Sequence, residues 1–332
     1  MGRGKRGKRA RQMAAPCGLV LLDKPVGVTS RGALMDANKR LGIRASGHCG
    51  TLDPLASGLI VVCTGFATRV QDLFMGHEKT YLADLTFGWR SVTCDAEGPL
   101  SEVAVEDFEP PTRDELESHL DPLRGRIRQR PPAYSAIRVD GERLYKKARR
   151  GEVVEVPERE VDVKSIEVLS YHWPRALMRI RCGPGTYIRS LARDLGESLG
   201  CGAYLAALRR TQSGAFEVSA ACSPDAVERS HLISLEDAVS SMPSVHLDDD
   251  DFVRLLEGRE LEDPRGTTVV DDTLAWHRGK VMARLRGMGG ARYRMKRLIV
   301  SADDADAPLD HLDSKSGAAT PPQSQGDKER ER

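Results

Sequence analysis

The sequence predicts an α+β fold in which helices pack on a mixed β-sheet, not a regular alternation of parallel strands and helices. Tyr81–Phe87 alternates apolar and polar residues, which is typical of a half-buried strand, and Leu59–Cys63 is apolar throughout, as a buried strand is. Val161–Val168 and Ala176–Cys182 predict two more strands with hairpin-like spacing. Apolar residues within Ile188–Leu199 recur with helical spacing, so at least one amphipathic helix accompanies the sheet.

Shorter patterns predict the other elements. Gly18–Leu22 is a predicted strand that leads into a turn at Lys24–Gly27. Ser30 is predicted to cap a helix that ends at Gly42. Gly200 is predicted to close the later amphipathic helix in the same way.

The length of 332 residues predicts two domains with flexible ends. Apolar residues make up 40% of the chain, which is enough for a core, and no apolar run approaches the ~18 residues that a membrane helix needs. The N-terminus lacks the apolar stretch of a signal peptide. Residues 1–14 are expected to form a basic disordered arm and residues 303–332 a polar disordered tail.

Positive charge is concentrated in one internal segment. Between Arg124 and Arg150 there are ten basic residues but only two acidic ones, Asp140 and Glu142. Clustered cations gain affinity for polyanions by releasing counterions from phosphates, so this segment favours nucleic acid as a partner. A solvated helix face is the alternative interpretation.

The cysteines and acidic clusters do not indicate a metal site. Seven cysteines occur without a Cys-x-x-Cys pair, which argues against zinc and disulfides and favours a reducing cytoplasm. Asp248–Asp251 lacks the spacing of a calcium loop and fits a helix start better. We therefore expect no metal site.

The stretch Gly47–Gly58 is the strongest candidate for a functional loop. It combines a histidine, three glycines and the Asp53-Pro54 pair directly before the buried strand. The residue before a proline is pushed out of the helical region, so Asp53 is expected in an extended, rigid loop. Asp-Pro as a simple turn start is the competing interpretation.

The start of the amphipathic helix is a second, weaker candidate. Gly183 and Gly185 precede it, and glycines at a helix start expose N–H groups that can bind phosphate. Arg189 and Arg193 leave the apolar stripe and are expected to face the same site. Ile188 stands where a dinucleotide fingerprint needs its third glycine, and the chain has no Walker A motif.

Seven segments together resemble the TruB family of RNA pseudouridine synthases, in the family's order and over roughly residues 17–220. The catalytic motif of that family resembles Gly-His-Cys-Gly-Thr-Leu-Asp-Pro at 47–54. The other six matches are Leu22–Ser30, Glu78–Tyr81, Thr93–Gly98, Pro131–Tyr145 (with a gap at 137–140), Gly185–Leu191 and Gly200–Thr211.

The resemblance implies roles for individual residues. Asp53 matches the catalytic aspartate, Arg189 the arginine that pairs with it and lowers its pKa, and Tyr81 the pocket tyrosine that stacks on the target base. His48 matches the histidine that supports the flipped nucleotide, and Lys24 a lysine near the site. Cys49 departs from the threonine that the family more often has; a small buried filler is the favoured interpretation.

RNA-binding residues are expected from the same resemblance. Residues 124–152 correspond to an insertion that closes over the RNA. The residues assigned to RNA contact besides His48 and Lys24 are Tyr187, Arg143, Lys146, Lys147, Arg149 and Arg150.

The resemblance also organises the domains. A pseudouridine synthase catalytic domain with a mixed sheet is expected at 15–222, a helical connector at 223–244 and a small β-barrel resembling a PUA domain at 245–302. The strands expected in that barrel include Thr267–Val270, Lys280–Leu285 and Arg297–Val300.

The expected function is isomerisation of the T-loop uridine of tRNA, at position 55, by base flipping and an essential aspartate. We expect a cytoplasmic monomer that binds the T-arm stem-loop and uses no membrane, metal or cofactor. A guide-RNA-dependent relative and a non-catalytic tRNA-binding or tRNA-folding protein are the two alternatives.

Overall fold

A large mixed sheet forms the centre of the molecule. The structure is a computed structural model that describes residues 17–134, 150 and 156–300, with the backbone alone of 138–139 and 142–143. Within that part, ten strands join in the order β14-β1-β3-β12-β4-β11-β10-β7, with β2 on β3 and β13 on β12. These strands are β1 Gly18–Lys24, β2 Ser46–His48, β3 Ala56–Thr64, β4 Lys79–Phe87, β7 Gly125–Gln129, β10 Arg159–His172, β11 Arg175–Cys182, β12 Ala203–Ser213, β13 Phe216–Glu217 and β14 Leu232–Ile233. The predicted α+β class and each of the five predicted strands of this sheet are confirmed.

Helices and short hairpins complete this part of the molecule. The hairpins are β5 Trp89–Ser91 with β6 Leu100–Glu102, and β8 Arg138–Val139 with β9 Glu142–Arg143. The helices are α1 Ser30–Leu41, α2 Gln71–Met75, α3 Arg113–Leu120 and α4 Ile188–Ser198, with short 3₁₀ turns at Gly65–Val70, Asp121–Leu123, Val218–Ala220 and Arg229–His231. None of the helices in the described part of the chain is long and apolar enough to cross a membrane.

Helix α1 begins one residue earlier than predicted. Thr29, not Ser30, is its N-cap, and the Thr29 side chain accepts a hydrogen bond from the backbone N–H of Gly32. Gly42 ends the helix in the left-handed conformation, as predicted (φ 66°). Ser30 is instead buried and turned inward, where its hydroxyl meets the loop that carries Asp53.

Strand β4 is the central strand beneath the candidate site. Its residues alternate between buried and half-buried along the whole strand, as the sequence pattern predicts. It is antiparallel to β11 on one side and to β12 on the other, and the β12 register places Tyr81 opposite Arg210. Directly opposite residues of an antiparallel pair share one face, so these two side chains are neighbours.

Helix α4 covers that face of the sheet. Its buried residues, among them Leu191 and Leu195, join Tyr81 and Leu85 in one apolar core. Close packing requires a glycine at 196, because a Cβ there would lie 2.1 Å from the backbone N of Ala203. The helix is closed by Gly200 (φ 75°), as predicted.

A second core joins the two domains on the opposite face. Leu59 and Val61 of β3 pack in it together with Val281 and Ile299 of the C-terminal region. The expected helical connector at 223–244 is largely wrong: only α5, Leu235–Val239, is α-helical there. Leu232 and Ile233 instead pair with Val20 and Leu19 and extend the sheet, since an open sheet edge offers unpaired backbone groups.

The C-terminal domain is a curled five-stranded sheet, a half-barrel that agrees with the PUA-like prediction. Its elements are β15 Ser244–Leu247, α6 Asp249–Leu256, β16 Leu261–Glu262, β17 Leu274–His277, β18 Lys280–Gly287 and β19 Arg292–Leu298. Asp248 caps α6, which confirms the predicted helix start. The predicted strand at Thr267–Val270 is wrong, because that segment is irregular.

Candidate active site

The loop between β2 and β3 is held by hydrogen bonds to earlier segments of the chain. The buried Ser30 hydroxyl donates to the carbonyl of Leu52 at 2.8 Å and accepts from the N–H of the same residue at 2.7 Å. The N–H of Gly27 donates to the carbonyl of Pro54 at 2.8 Å. These bonds hold the backbone on both sides of Asp53, so the side chain of Asp53 is presented from a rigid loop.

Lys24 supports the same loop from the neighbouring turn. The residue is fully buried, and its Nζ donates to the carbonyls of Pro25, Val28 and Pro54. Burial lowers the pKa of its ammonium, which the charge of Asp53 partly restores. The ammonium therefore shapes the turn; RNA contact by Lys24 stays a prediction.

Arg189 joins two carboxylates at the start of α4. Its Nη2 lies 3.0 Å from Oδ2 of Asp53, and its Nη1 lies 3.2 Å from Oδ2 of Asp95. Nη1 also donates to the carbonyl of Thr93, and Nη2 to that of Tyr134. The guanidinium is only 6% exposed and Asp95 only 2%, whereas the Asp53 side chain is 38% exposed. Asp53 is thus the member of the triad that is open to a substrate.

The pKa of Asp53 moves in the opposite direction to the sequence prediction. Burial raises the pKa of this carboxyl, and Arg189 lowers it without offsetting the rise, because the Asp95 carboxylate also acts to raise it. A carboxylate that is aimed by one cation but not held at a very low pKa is suited to nucleophilic or base chemistry.

Asp95 is a site residue that the sequence reasoning missed. It lies in the Thr93–Gly98 segment, which was matched only as a motif. Its Oδ1 accepts from the Thr93 hydroxyl and from the N–H of Glu97, and backbone bonds to Leu205 of β12 fix its loop. An acidic residue within a family motif was the signal, but its partner Arg189 lies far away in the sequence.

Tyr81 and His48 lie on the face of the sheet that α4 covers. Tyr81 is 8% exposed, and burial raises the pKa of its phenol while Arg210 lowers it. His48 pairs with Val62, whose side chain packs in the same core as Tyr81. Burial and then the charge of Arg210 lower the pKa of His48, so its imidazole is neutral near pH 7.

Tyr187 stands where the chain enters α4. Gln129 binds both its N–H and its carbonyl, at 2.8 and 3.0 Å, and the guanidinium of Arg159 lies 4.7 Å from the centre of its ring. Arg193 pairs with Asp194 and donates to the carbonyl of Arg130, whereas Arg189 pairs with Asp53. That the two arginines serve one site stays a prediction.

The described part of the basic segment is paired with acids. Arg124 pairs with Glu117 and Asp121, and exposed arginines of β7 lie 3.5–3.8 Å from glutamates of the neighbouring strand and its approach. This favours the solvated-face interpretation for that part. Lys146, Lys147, Arg149 and the side chain of Arg143 lie outside the described residues, and Arg150 is described as exposed.

Buried thiols fill space near the loop. Cys49 is 1% exposed, with its Sγ 3.5 Å from that of Cys63, in agreement with the filler interpretation. Within the described residues, no group of three or more His, Cys, Asp or Glu side chains is placed to hold a metal ion.

Comparison with known families identifies the class of protein. Residues 38–188 match the model of the TruB family pseudouridylate synthase N-terminal domain, and residues 189–249 match that of the tRNA pseudouridylate synthase B C-terminal domain. The chain belongs to the TruB family of pseudouridylate synthases. The boundary between the two models falls at the start of α4, inside the core that contains Tyr81.

Two curated proteins that share one name have sequences similar to this chain. The chain is 44% identical over 256 residues to tRNA pseudouridine synthase B of Xanthomonas euvesicatoria, covering 74% of this chain and 82% of the relative. It is 45% identical over 258 residues to the protein of the same name from Xylella fastidiosa, covering 74% and 84%.

Solved structures share the fold. A crystal structure of a Cbf5-Nop10-Gar1 complex contains a chain that matches with a TM-score of 0.65 at 23% identity, over 89% of this chain and 88% of that one. An archaeal box H/ACA sRNP Nop10-Cbf5 complex matches with a TM-score of 0.62 at 21% identity, over 88% and 91%. At these identities the likeness concerns the fold alone.

Proposed function

We propose that this protein acts alone on tRNA and isomerises the T-loop uridine at position 55 to pseudouridine. Family membership and relatives named tRNA pseudouridine synthase B support tRNA as the substrate. The Cbf5 complexes match this chain at only 21–23% identity, against 44–45% for those relatives, which favours the stand-alone branch over a guide-dependent one.

The reaction exchanges one bond to the ribose for another. The bond from uracil N1 to C1′ breaks, the base rotates, and a bond from C5 to C1′ forms. The proton that leaves C5 is balanced by one gained at N1, so no electrons are transferred to or from an outside group. A single carboxylate, acting as a nucleophile or as a base, can promote these steps. Asp53 is our candidate for that carboxylate.

The pairing of Asp53 with Arg189 is the observation that carries the proposal. A carboxylate at the end of a rigid loop is aimed by a buried guanidinium, which Asp95 holds from its other side. Tyr81 lies on the sheet beneath and offers a face on which a flipped base can stack. His48, neutral and on the same face, is our candidate for supporting the flipped nucleotide.

The RNA is proposed to enter between this site and the insertion at 124–152. Tyr187, Arg143, Lys146, Lys147, Arg149 and Arg150 are the candidate contacts in that region. We further propose the domain division 15–222, 223–244 and 245–302, with the C-terminal half-barrel as an RNA-binding domain, and a cytoplasmic monomer bound to the T-arm.

The test is pseudouridine formation in an unmodified tRNA transcript, with purified protein, a chelator and no guide RNA. We expect product at the T-loop uridine from the wild-type protein. Asp53→Asn is expected to slow product formation by a factor of roughly 10³ or more, because the carboxylate takes part in the chemistry. RNA affinity is expected to stay within about twofold, because the carboxylate acts in bond rearrangement and not in docking.

Asp84→Asn is the matched control. Asp84 lies on β4, three residues from Tyr81, and pairs with Arg175 on the other face of the sheet. Asp84→Asn removes the same charge as Asp53→Asn and is expected to leave the rate unchanged. Tight binding without product from the wild-type protein would favour a guide-dependent relative or a non-catalytic tRNA-binding protein. Turnover by Asp53→Asn near the wild-type rate would exclude Asp53 as the reacting carboxylate.

A further inference from the structure

Arg210 is a buried cation next to the site, and its observed hydrogen bonds all go to backbone carbonyls of the described residues. It is only 1% exposed and heads the largest fully buried side chains. Its Nε donates to the carbonyl of Leu59 at 2.6 Å, and its Nη2 donates to the carbonyl of Gly50 at 3.1 Å. Among the described residues, no acidic side chain forms an ion pair with it.

A buried charge without a counter-ion is expensive for folding. Two carbonyl oxygens compensate the guanidinium only in part, and an apolar residue of similar volume would avoid the cost. Arg209, the next residue, shows the usual arrangement, since its guanidinium meets the Asp23 carboxylate at 2.7 Å. Stability alone therefore does not explain an arginine at position 210.

The position of Arg210 suggests what the arginine does. It lies opposite Tyr81 on the adjacent antiparallel strand and opposite Gly58 on the parallel one. Because the two residues are directly opposite each other, the side chain of Arg210 lies beside that of Tyr81. Through Gly50 it also holds the backbone of the loop three residues before Asp53.

Its charge acts on the same group of residues. Together with burial, Arg210 lowers the pKa of His48, and it lowers the pKa of Lys79, which burial and this charge bring to about 8. Against the larger effect of burial, it also lowers the pKa of the Tyr81 phenol. One guanidinium thus binds the loop that carries Asp53, lies beside Tyr81 and acts on the electrostatic potential around both.

We infer that Arg210 is a positioning residue that fixes the loop carrying Asp53 relative to β4, the strand that carries Tyr81. The inference rests on the proposed function, because it concerns the two groups to which that function assigns chemistry. The role assigned to Arg210 is positioning and not catalysis, because its observed bonds go to the protein backbone.

The test measures the single-turnover rate and the RNA affinity of the full chain with the unmodified tRNA transcript. It also measures the thermal unfolding of each protein variant. Arg210→Gln is expected to slow the single-turnover rate by about tenfold or more, with RNA affinity within about twofold, because the carbonyl of Gly50 loses its donor and the Asp53 loop loses its tie to the strand of Tyr81. Arg210→Lys keeps the charge and is expected to recover part of the rate. In a Tyr81→Phe background, Arg210→Gln is expected to slow the single-turnover rate by a smaller factor than it does alone, because the two residues act together.

Two controls separate positioning from stability. Arg209→Gln removes the neighbouring guanidinium on the other face and is expected to leave the rate unchanged. Ile60→Val destabilises the same sheet and leaves the carbonyls of Leu59 and Gly50 in place. It therefore shows how far the rate falls when stability alone is lost.

Several outcomes would overturn the inference. A folded Arg210→Gln protein with the wild-type rate would do so, as would a rate loss no greater than that of Ile60→Val at equal destabilisation. Failure of both Arg210 variants to fold would assign the residue to stability alone. Fully multiplicative effects of Arg210→Gln and Tyr81→Phe would exclude action through the tyrosine. A wild-type protein that forms no product contradicts the proposed function itself, which distinguishes the two failures.

Discussion

Two buried arginines in this molecule each join two aspartates, and they lie at different places. Arg189 is 5% exposed and contacts Asp53 and Asp95 in the candidate active site. Arg284 is 4% exposed and contacts Asp72 at 2.7 Å and Asp272 at 2.6 Å, where the C-terminal half-barrel meets α2. The same arrangement, a buried arginine between two aspartates, thus occurs in the candidate active site and between the two domains.

The carboxylates around the two arginines differ in their pKa values. For Asp53, burial raises the pKa more than Arg189 lowers it. For Asp272, burial acts in the same direction, but hydrogen bonds from Lys296 and Arg284 outweigh it and lower the pKa. The pKa of Asp272 thus lies below the ordinary value and that of Asp53 above it. We propose that this difference distinguishes the structural ion pair at the junction from the pair in the candidate active site.

The largest difference in single-turnover rate between the two clusters is expected when one carboxylate is removed at each arginine. Asp95→Asn leaves Arg189 with only one carboxylate and loosens its aim at Asp53, so we expect the single-turnover rate to fall by about 10–100-fold with RNA affinity nearly unchanged. Asp272→Asn is the matched change at Arg284 and is expected to alter the rate by less than about twofold. Equal rate losses for the two variants would remove the distinction between the clusters.

A smaller effect is expected from removing the arginine at the junction. Arg284→Met should lower the free energy of unfolding by about 1–2 kcal/mol, because the two aspartates it leaves keep partial access to water. Chemical denaturation of the full chain measures this. Arg254→Met, which removes an exposed pair with Asp251, is the control and should cost under about 0.5 kcal/mol. A junction variant as stable as this control would show that the apolar core alone holds the domains together.

The smallest effect is a shift of the acid side of the pH–rate profile. Asp53 must be ionised to react, so the rate falls as the pH drops through its pKa, which burial places above the ordinary value. The Asp95 carboxylate acts to raise that pKa, so Asp95→Asn should move the acid limb to lower pH, even though the variant is slower. Single-turnover rates across the acid range measure this, and a limb that moves to higher pH would contradict the assignment.

Local patterns predicted most of the sheet. Alternation along β4 and the apolar run of β3 depend only on which side of a strand is buried, and both strands lie where the sequence places them. The region from 223 to 244 was predicted incorrectly, because the pairing of Leu232 and Ile233 with β1 depends on an open edge that sequence does not display. Thr267–Val270 has strand-forming residues but lies outside the half-barrel sheet.

The site was predicted in part. Asp53, Tyr81, Arg189 and His48 were found through family motifs, and the pairing of Asp53 with Arg189 agrees with their 3.0 Å separation. Asp95 and Arg210 were not singled out, although both lie within quoted motifs. Their importance depends on contacts with residues more than 90 positions away, which no local pattern contains.

The sequence by itself determined the α+β class, the strands beneath the site, the rigid Asp53-Pro54 loop and the family. These follow from side-chain periodicity, from the backbone restriction that proline imposes, and from motifs in a fixed order. Only the tertiary structure decided which arginine meets which carboxylate, and in which direction the pKa of Asp53 moves. Both depend on burial and on charges from distant segments, and these exist only once the sheet and α4 have packed together.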